Sequence, residues 1–259
     1  MRIALVQHDI VWEDAAATQA RLEPLLDRAA AGGARLIALT EMFAKGFSMD
    51  VDAVAEAPGG PTEQFLLAQA ARLGCWLIGS IAQRDADAPA GSRGRNVAVL
   101  AGPDGTVSRY AKIHPFSYSG EDQHYEGGSE FLTVEVEGVR LSVFVCYDLR
   151  FADEFWALAH DTDCYVVVAN WPENRRTHWN VLVRARAIEN QAYVAAVNRV
   201  GAVGRLSYVG DSVLIDPFGL ECTEPLAGEG VLFGEVDPQR VAEVRAKYPF
   251  LADRRAAPA

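Results

Sequence analysis

Short apolar segments typical of β-strands alternate with helical segments along most of the chain, and this alternation strongly restricts the possible folds. The first strand is predicted over residues 3–8, and a helix follows from its capping residue Asp14 to Ala31, interrupted or bent at Pro24. The mixture of hairpins and helical connections indicates an α/β fold with a mixed sheet, or a pair of sheets, and helices outside. Further strands are predicted over residues 36–40, 75–81, 96–100, 106–112, 131–136, 139–145, 164–169, 193–197, 211–215 and 231–236. Further helices are predicted over residues 61–73, 151–160 and 177–191, and a last one from Asp237.

The chain shows no internal repeat, no low-complexity tract and no shift of composition that would mark a domain boundary. Residues 84–95 are polar and rich in turn formers, which predicts an exposed loop rather than a linker. A chain of 259 residues is long enough to bury one large core. We therefore expect a single domain over residues 1–259.

Charge and cysteine content exclude several classes of protein. The net charge of −11 argues against a surface that binds nucleic acid or anionic lipid, and no apolar stretch reaches membrane-spanning length. The first eight residues resemble a strand rather than a signal peptide. The four cysteines are scattered and form no CxxC pair, so neither a disulfide framework nor a zinc site is expected. These features predict a reduced, cytoplasmic protein.

The segment from Leu141 to Phe151 is the most informative for function. An apolar strand pattern ends abruptly at Cys146 and is followed by a helical pattern. A thiol at such a turn can lie near the positive end of a helix, which favours a thiolate and a nucleophile. Free cysteine is also among the most buried residue types, so Cys146 as an ordinary core residue is an equally good interpretation.

Glu41, Lys112 and Cys146 each follow an apolar strand. Ligands of layered α/β folds bind at strand ends, so these side chains could converge on one site for acyl transfer. There Glu41 could take the thiol proton, and Lys112 with the backbone N–H of Tyr147 could stabilise an oxyanion. Taken singly, each residue favours an ordinary role, because a glutamate at a strand end is more often a solvated or ion-paired carboxylate and Lys112 could be a surface lysine.

Three segments, 40–43 (TEMF), 110–114 (YAKIH) and 146–151 (CYDLRF), resemble the signature segments of the carbon–nitrogen hydrolase (nitrilase) superfamily, in the same order and at compatible separations. Each segment alone is modestly specific, whereas their joint occurrence is highly specific. The resemblance covers nearly the whole chain. It continues through residues 169–172, 184–190, 197–199 and 210–212.

This resemblance implies a four-layer α-β-β-α sandwich of two mixed sheets with helices outside, assembled as a homodimer. It implies that Glu41 is the general base, Lys112 the oxyanion stabiliser and Cys146 the nucleophile. A second glutamate, which orients the lysine in many members, would be Glu121, and Trp171 would line the pocket. The alternatives are a loop carboxylate for Glu121 and a packing aromatic for Trp171. The implied chemistry needs neither metal nor cofactor.

Within the superfamily, residues 41–49 and 120–128 look most like the bacterial ω-amidase group. Those enzymes hydrolyse the terminal amide of 2-oxoglutaramate and of related monoamides such as succinamate. Such substrates carry a carboxylate, so a cation should face the pocket. Arg175 is the candidate for binding this carboxylate through two hydrogen bonds, and Arg176 is the alternative. Either residue could instead be an ordinary solvent-exposed arginine.

Other functions remain open at this point. Thr40, Pro115 and Ala152 depart from the family pattern beside the expected pocket, which puts substrate preference in doubt more than the reacting groups. N-carbamoyl compounds, simple aliphatic amides or nitriles are alternative substrates. A non-catalytic binding protein with an inert cysteine is an alternative of another class.

Two patterns bear on packing and assembly. The helix predicted over 177–191 carries Val181, Ala185 and Ile188 on one apolar stripe, the kind of face that a surface helix buries. Three aromatic residues, Phe155, Trp156 and Trp179, lie on the helices near Cys146 and could pack either in an interface or in the core of one chain. The expected homodimer rests on the family resemblance.

Overall fold

The structure, a computed structural model, describes residues 1–89 and 91–255. The alternation of strands and helices is confirmed. The strands are β1 (Arg2–Gln7), β2 (Leu36–Ala38), β3 (Trp76–Gln83), β4 (Arg95–Ala101), β5 (Val107–Ala111), β6 (Thr133–Val136), β7 (Val139–Val145), β8 (Cys164–Ala169), β9 (Tyr193–Asn198), β10 (Val200–Val203), β11 (Leu206–Val209), β12 (Val213–Ile215) and β13 (Gly230–Glu235). The helices are α1 (Ala15–Ala31), α2 (Val51–Val54), α3 (Pro61–Leu73), α4 (Glu121–His124), α5 (Ala152–Ala157), α6 (Arg176–Asn190) and α7 (Pro238–Lys247).

Two mixed sheets form the centre of the molecule. The first has six strands in the order β13-β1-β2-β3-β4-β5, in which the neighbours β1-β2 and β2-β3 pair in parallel and the other neighbours pair antiparallel. The second has five strands in the order β12-β9-β8-β7-β6, in which β7, β8 and β9 are parallel. Strands β10 and β11 form a separate hairpin.

The sheets pack face to face between two layers of helices, because alternate side chains of a strand point to opposite faces. On β1, Ile3 and Leu5 belong to the same apolar core as Val143 of the second sheet. Ala4 belongs instead to a second apolar core that includes Leu22 of α1. This is the predicted four-layer α-β-β-α sandwich.

Helix α6 buries a different face from the predicted one. Its core-facing residues are Trp179, Val183 and Ala187, each at most 1% exposed. In contrast, Val181 is 59% exposed and Ile188 is 44% exposed, so the predicted apolar stripe faces outward. Both sets recur at helical spacing, and only the position of the sheet decides between them.

The aromatic residues that suggested an interface divide in the same way. Phe155 and Trp179 are buried in the core of the chain, so for these two the intramolecular interpretation is correct. Trp156 is only partly buried and lies against the guanidinium of Arg254, 4.3 Å from the ring centroid.

Several element boundaries differ from the prediction. Helix α1 continues through Pro24, and the strand predicted from residue 211 begins at Val213. A 3-10 turn, Cys146–Arg150, separates β7 from α5, and the hairpin β10-β11 was not predicted. The predicted loop 84–95 joins β3 to β4 and includes residue 90, which lies outside the described residues. Among the described helices, none is long and apolar enough to cross a membrane.

Candidate active site

The ends of β2, β5 and β7 meet at one edge of the sandwich, where they enclose a cavity of about 250 Å³. Glu41, Lys112 and Cys146, which follow these three strands, all line the cavity. The predicted convergence of the three side chains at strand ends is therefore observed. The wall is completed by further side chains, mostly apolar, namely Trp12, Phe47, Met49, Phe116, Ser119, Tyr147, Arg150, Asn170, Trp171, Pro172, Arg175, Val203, Leu206 and Tyr208.

Lys112 is held between two glutamates. Its Nζ lies 3.0 Å from Glu41 Oε1 and donates to both oxygens of Glu121, at 3.1 Å and 2.8 Å. All three side chains are at most 1% exposed. Glu121 also accepts a hydrogen bond from the backbone N–H of Phe116, at 2.5 Å. Glu121 is thus a buried partner of the lysine and not a loop carboxylate.

Both oxygens of the Glu41 carboxylate have defined partners. The backbone N–H of Asn170 donates to Oε2 at 3.0 Å, and Asn96 Nδ2 donates to Oε1 at 2.8 Å. Glu41 and Cys146 line the same cavity, and the Glu41 carboxylate raises the pKa of the Cys146 thiol. The carboxylate is therefore fixed in orientation, with the thiol within reach of proton transfer.

The turn that carries Cys146 is backbone-strained. Cys146 has φ +46°, in the left-handed region that a residue with a side chain seldom adopts. The buried carboxylate of Asp148 holds this turn in place, because its Oδ2 accepts from the N–H of Val145 at 3.0 Å and from the Tyr110 hydroxyl at 2.9 Å. Its other oxygen accepts from the N–H of His114 at 2.9 Å. Asp148 thereby ties the cysteine turn to the segment that bears the lysine.

Burial and charge set the protonation of the site. Burial raises the pKa of the Cys146 thiol well above its ordinary value, and the Glu41 carboxylate raises it further, against the opposing effect of Lys112. Burial by itself lowers the pKa of Lys112, but the carboxylates of Glu121 and Glu41 outweigh it and raise that pKa. Burial also raises the pKa of Glu121, the Lys112 ammonium lowers it, and Glu41 raises it.

Burial and the Glu41 carboxylate act against the thiolate that a helix end was expected to favour at Cys146. The residue after β7 opens a short 3-10 turn, whose few aligned peptides do not outweigh burial beside a carboxylate. A raised pKa favours the thiol over the thiolate, so a nucleophilic Cys146 needs a neighbouring base to accept its proton.

The predicted substrate-contact residues divide into two groups. Trp171 lines the cavity, and its ring N–H donates to the backbone oxygen of Arg175 at 2.9 Å. The guanidinium of Arg175 also reaches the cavity and lies 5.1 Å from the ring centroid of Phe116. Arg176 is directed away from the cavity and forms an ion pair with Asp211, at 2.5 Å and 2.8 Å. Of the two arginines, only Arg175 lines the cavity.

Two residues of the site were not singled out from the sequence. Arg150 lines the cavity with its guanidinium 4.7 Å from the ring centroid of Trp171, and it belongs to the same sequence segment as Cys146. Asn96 lies at the start of β4, and no local pattern marks it. Arg150 could have been found from its position, because it ends the turn that begins at Cys146, and this turn brings both residues to the cavity.

One cluster has the composition of a metal site. Ligand atoms of His114, Asp148 and Glu154 lie within 4.8 Å of one another. The Asp148 oxygens already accept hydrogen bonds from Tyr110, His114 and Val145, so this cluster is built as a hydrogen-bond network. It supports the turn of the cysteine and does not open into the cavity.

Known proteins are similar to this chain in sequence and in fold over most of their length. The omega-amidase YafV of Yersinia enterocolitica is 36% identical over 256 residues, which cover 98% of this chain and 96% of that protein. The 2-oxoglutaramate amidase of Bacillus subtilis is 33% identical over 228 residues, covering 86% and 85%. The structure of XC1258 from Xanthomonas campestris, a CN-hydrolase superfamily protein with an arsenic adduct in its active site, superposes with a TM-score of 0.92 at 38% identity, covering 100% of this chain and 98% of the other.

The sequence profile of the Carbon-nitrogen hydrolase family matches residues 2–246. The match contains the three strand ends that form the cavity, and the two sheets flanked by helices are the fold expected from the resemblance. The protein is a member of the carbon–nitrogen hydrolase family.

Proposed function

We propose that the protein is an amidase that hydrolyses the terminal amide of a small monoamide bearing a carboxylate, of the 2-oxoglutaramate or succinamate type. The observation that carries this proposal is the cavity itself. It combines the thiol of Cys146 and the carboxylate of Glu41 with two arginines, Arg150 and Arg175. The names of the relatives, omega-amidase and 2-oxoglutaramate amidase, agree with it.

In the first half of the reaction, Cys146 attacks the amide carbon while its proton passes to Glu41. The developing oxyanion is stabilised by the ammonium of Lys112 and the backbone N–H of Tyr147. Collapse of the tetrahedral intermediate breaks the C–N bond, and Glu41 returns the proton to the departing ammonia. The product is an acyl-thioester on Cys146. Glu121 orients the lysine and supplies part of the negative charge that keeps it protonated.

In the second half, water attacks the thioester carbon while Glu41 accepts a proton from it. The same two donors stabilise the second oxyanion, and the thiolate of Cys146 leaves and is reprotonated by Glu41. Carboxylic acid and free enzyme result. All protons are carried by residues of this chain, and the scheme draws on no metal or cofactor.

The two arginines, Arg150 and Arg175, bind the carboxylate of the proposed substrate. Burial lowers the pKa of Arg150, and the nearby positive charge of Arg175 lowers it further, whereas Tyr147 raises it. Two like charges facing one cavity repel each other, and an anion bound between them removes that repulsion. A carboxylate can accept a bidentate pair of hydrogen bonds from a guanidinium. Substrates without a carboxylate lack this contact.

The other candidate functions fit the cavity less well. Aliphatic amides and nitriles could react with the same thiol, but a substrate without a carboxylate would leave Arg150 and Arg175 facing the cavity without an anion. N-carbamoyl compounds that bear a carboxylate are distinguished by their products, since they release carbon dioxide together with ammonia. A non-catalytic binding protein has no need of a thiol in one cavity with a buried carboxylate and a buried ammonium.

The proposal is tested by the release of ammonia from 2-oxoglutaramate and from succinamate, with the wild type and Cys146→Ala compared side by side. Release by the wild type alone supports the reaction and the nucleophile together. Release from N-carbamoyl compounds or nitriles, but from neither monoamide, would replace the proposed substrate by one of the alternatives.

Arg175→Met is expected to raise KM for succinamate about 10- to 100-fold, because a charge-assisted hydrogen bond to the substrate is lost. The value of kcat should change much less, since the side chain contacts no reacting group. Steady-state kinetics measures both constants. Arg176→Met is the matched control, because Arg176 binds Asp211 and should leave KM unchanged. An unchanged KM in Arg175→Met would remove Arg175 from substrate binding.

We extend the proposal to a homodimer in which the outer face of α6 packs against a second copy. Val181 and Ile188 are exposed there, and Phe218 and Leu220 are exposed apolar residues as well. Val181→Glu should shift the mass measured by sedimentation toward that of a monomer, because a charge would be buried in the contact. Phe250→Glu, at a 56% exposed position outside α6, is the control. A wild type that is monomeric at micromolar concentration would contradict the proposal.

A cytoplasmic location is part of the same proposal. It is supported by free thiols at Cys75, Cys164 and Cys222, since oxidising compartments favour disulfides in exported proteins.

A further inference from the structure

Behind the cavity wall, Asn96 forms a second bridge between the two glutamates. Its Nδ2 donates to Glu41 Oε1 at 2.8 Å and approaches Glu121 Oε1 at 3.4 Å. The backbone adds a further link, because the N–H of Lys112 donates to the backbone oxygen of Asn96 at 2.8 Å. Asn96 is 1% exposed, and the cavity is lined by Glu41 and Lys112 but not by Asn96. It therefore contacts the reacting machinery without contacting the substrate.

The charges of this buried cluster do not balance without neutral donors. Two carboxylates, Glu41 and Glu121, share the single ammonium of Lys112, and all three groups are buried. Lys112 directs two of its contacts to Glu121 and one to Glu41. A buried carboxylate stays ionised only when hydrogen bonds replace its hydration. Glu41 thus depends on Asn96 Nδ2 and on the N–H of Asn170.

The orientation of the Asn96 amide is fixed by charge and has a cost. In the described part of the structure its Oδ1 is buried and has no hydrogen-bond partner. Turning the amide over would place this oxygen against Glu41 and Glu121, where like partial charges repel. A buried oxygen without a partner destabilises the fold, so a site that keeps such an amide gains something other than stability from it.

We propose that Asn96 is a positioning residue, which holds Glu41 ionised and aligned to accept the thiol proton of Cys146. This inference rests on the proposed function, in which Glu41 is the base. Loss of the amide donor makes protonation of Glu41 easier, so the enzyme needs a higher pH to present the base in its working form. The acid limb of the pH profile, where activity falls as the pH is lowered, then moves to higher pH.

The other titratable groups near the cluster do not produce such a shift. Besides Lys112, Glu121 and Cys146, the groups that interact with Glu41 are Tyr125 and Tyr208. Burial raises the pKa of both hydroxyls, so they stay protonated at and below neutral pH. Asp148 and His114, which interact with Lys112, are present unchanged in all variants. The carboxylates of Asp148 and Glu154 raise the pKa of His114, so a limb set by His114 would lie at the same pH in the wild type and in the variants.

The test uses two variants of similar size, Asn96→Leu, which removes the donor, and Asn96→Asp, which adds a carboxylate to the cluster. The first readout is kcat/KM for succinamate against pH. The second is the rate of alkylation of Cys146 by iodoacetamide against pH, followed by mass spectrometry of the peptide that contains Cys146. Both acid limbs should move to higher pH by about one unit, the effect of one lost hydrogen bond to a charged acceptor. KM at the optimum should stay near the wild-type value.

Asn190→Leu is the matched control. Asn190 is also fully buried, its Nδ2 donates to the backbone oxygen of Arg186 at 2.9 Å, and its Oδ1 likewise has no partner in the described part of the structure. This variant should lower the thermal midpoint without moving either limb. If either Asn96 variant folds and keeps the wild-type limbs, Asn96 is not a positioning residue. The two proposals can fail separately. If the wild type releases no ammonia but the Asn96 variants still shift the alkylation profile of Cys146, the proposed function is contradicted and the role of Asn96 stands.

Discussion

Cys146→Ala is expected to release ammonia from succinamate at least about 10⁴-fold more slowly than the wild type, because removal of a nucleophile leaves only binding and oxyanion contacts. The side chain is partly buried and lines the cavity together with Glu41, and replacement by alanine removes one sulfur atom from the cavity wall. The fold should therefore persist. Initial rates of ammonia release at saturating substrate give the comparison.

Cys222→Ala is the control for this variant, because Cys222 is an exposed free thiol outside the cavity. It should retain the wild-type rate. Activity of Cys146→Ala within tenfold of the wild type would mean that another group attacks the amide, and the scheme based on a thioester would be wrong.

Lys112→Met should lower kcat/KM about 10²- to 10³-fold, which is the usual effect of losing one oxyanion donor. The loss also leaves Glu41 and Glu121 without their shared cation, so one of the two carboxylates should take up a proton at neutral pH. The first effect slows formation of both tetrahedral intermediates. The second weakens the base. Steady-state kinetics near pH 7 measures the combined result.

Lys45→Met serves as the comparison, since Lys45 also pairs with a glutamate, Glu56 at 2.9 Å, but does not line the cavity. It should change kcat/KM by less than about threefold, as expected for a partly exposed ion pair. A folded Lys112→Met protein with nearly wild-type kcat/KM would refute the role of the lysine in stabilising the oxyanion.

The sequence placed the three reactive side chains near strand ends, and the family resemblance assigned their roles. Glu41, Lys112 and Cys146 are local features, since an apolar run ends and a reactive side chain follows. Glu121 was placed by resemblance, and the structure shows it against the lysine. The layered fold followed from the alternation of elements, because hairpins and helical connections together require mixed sheets.

Features that depend on distant parts of the chain could not be predicted. Asn96 meets Glu41 across 55 positions of sequence, through the register of β3, β4 and β5, which no local pattern encodes. Arg175 and Arg176 are neighbours, and only the boundary between a 3-10 turn and α6 turns one into the cavity and the other toward Asp211. Long-range register and helix boundaries thus limited the prediction of the site.

The prediction of which face of α6 is buried was wrong for a related reason. Two apolar stripes recur at helical spacing on this helix, one with Trp179 and Val183 and the other with Val181 and Ile188. A helix that is apolar on two faces can bury one against its own sheet and present the other to a partner. The sequence therefore indicates that both faces are apolar but does not assign them.

The central claim is that this thiol hydrolase acts on monoamides that carry a carboxylate, and one pair of substrates tests it most directly. Succinamate and butanamide have the same chain length and the same amide, but only succinamate offers a carboxylate to Arg150 and Arg175. We predict that wild-type kcat/KM for ammonia release is about 10²-fold or more higher for succinamate, the effect of one or two charge-assisted hydrogen bonds. Equal values for the two amides, or faster release from butanamide, would contradict the account.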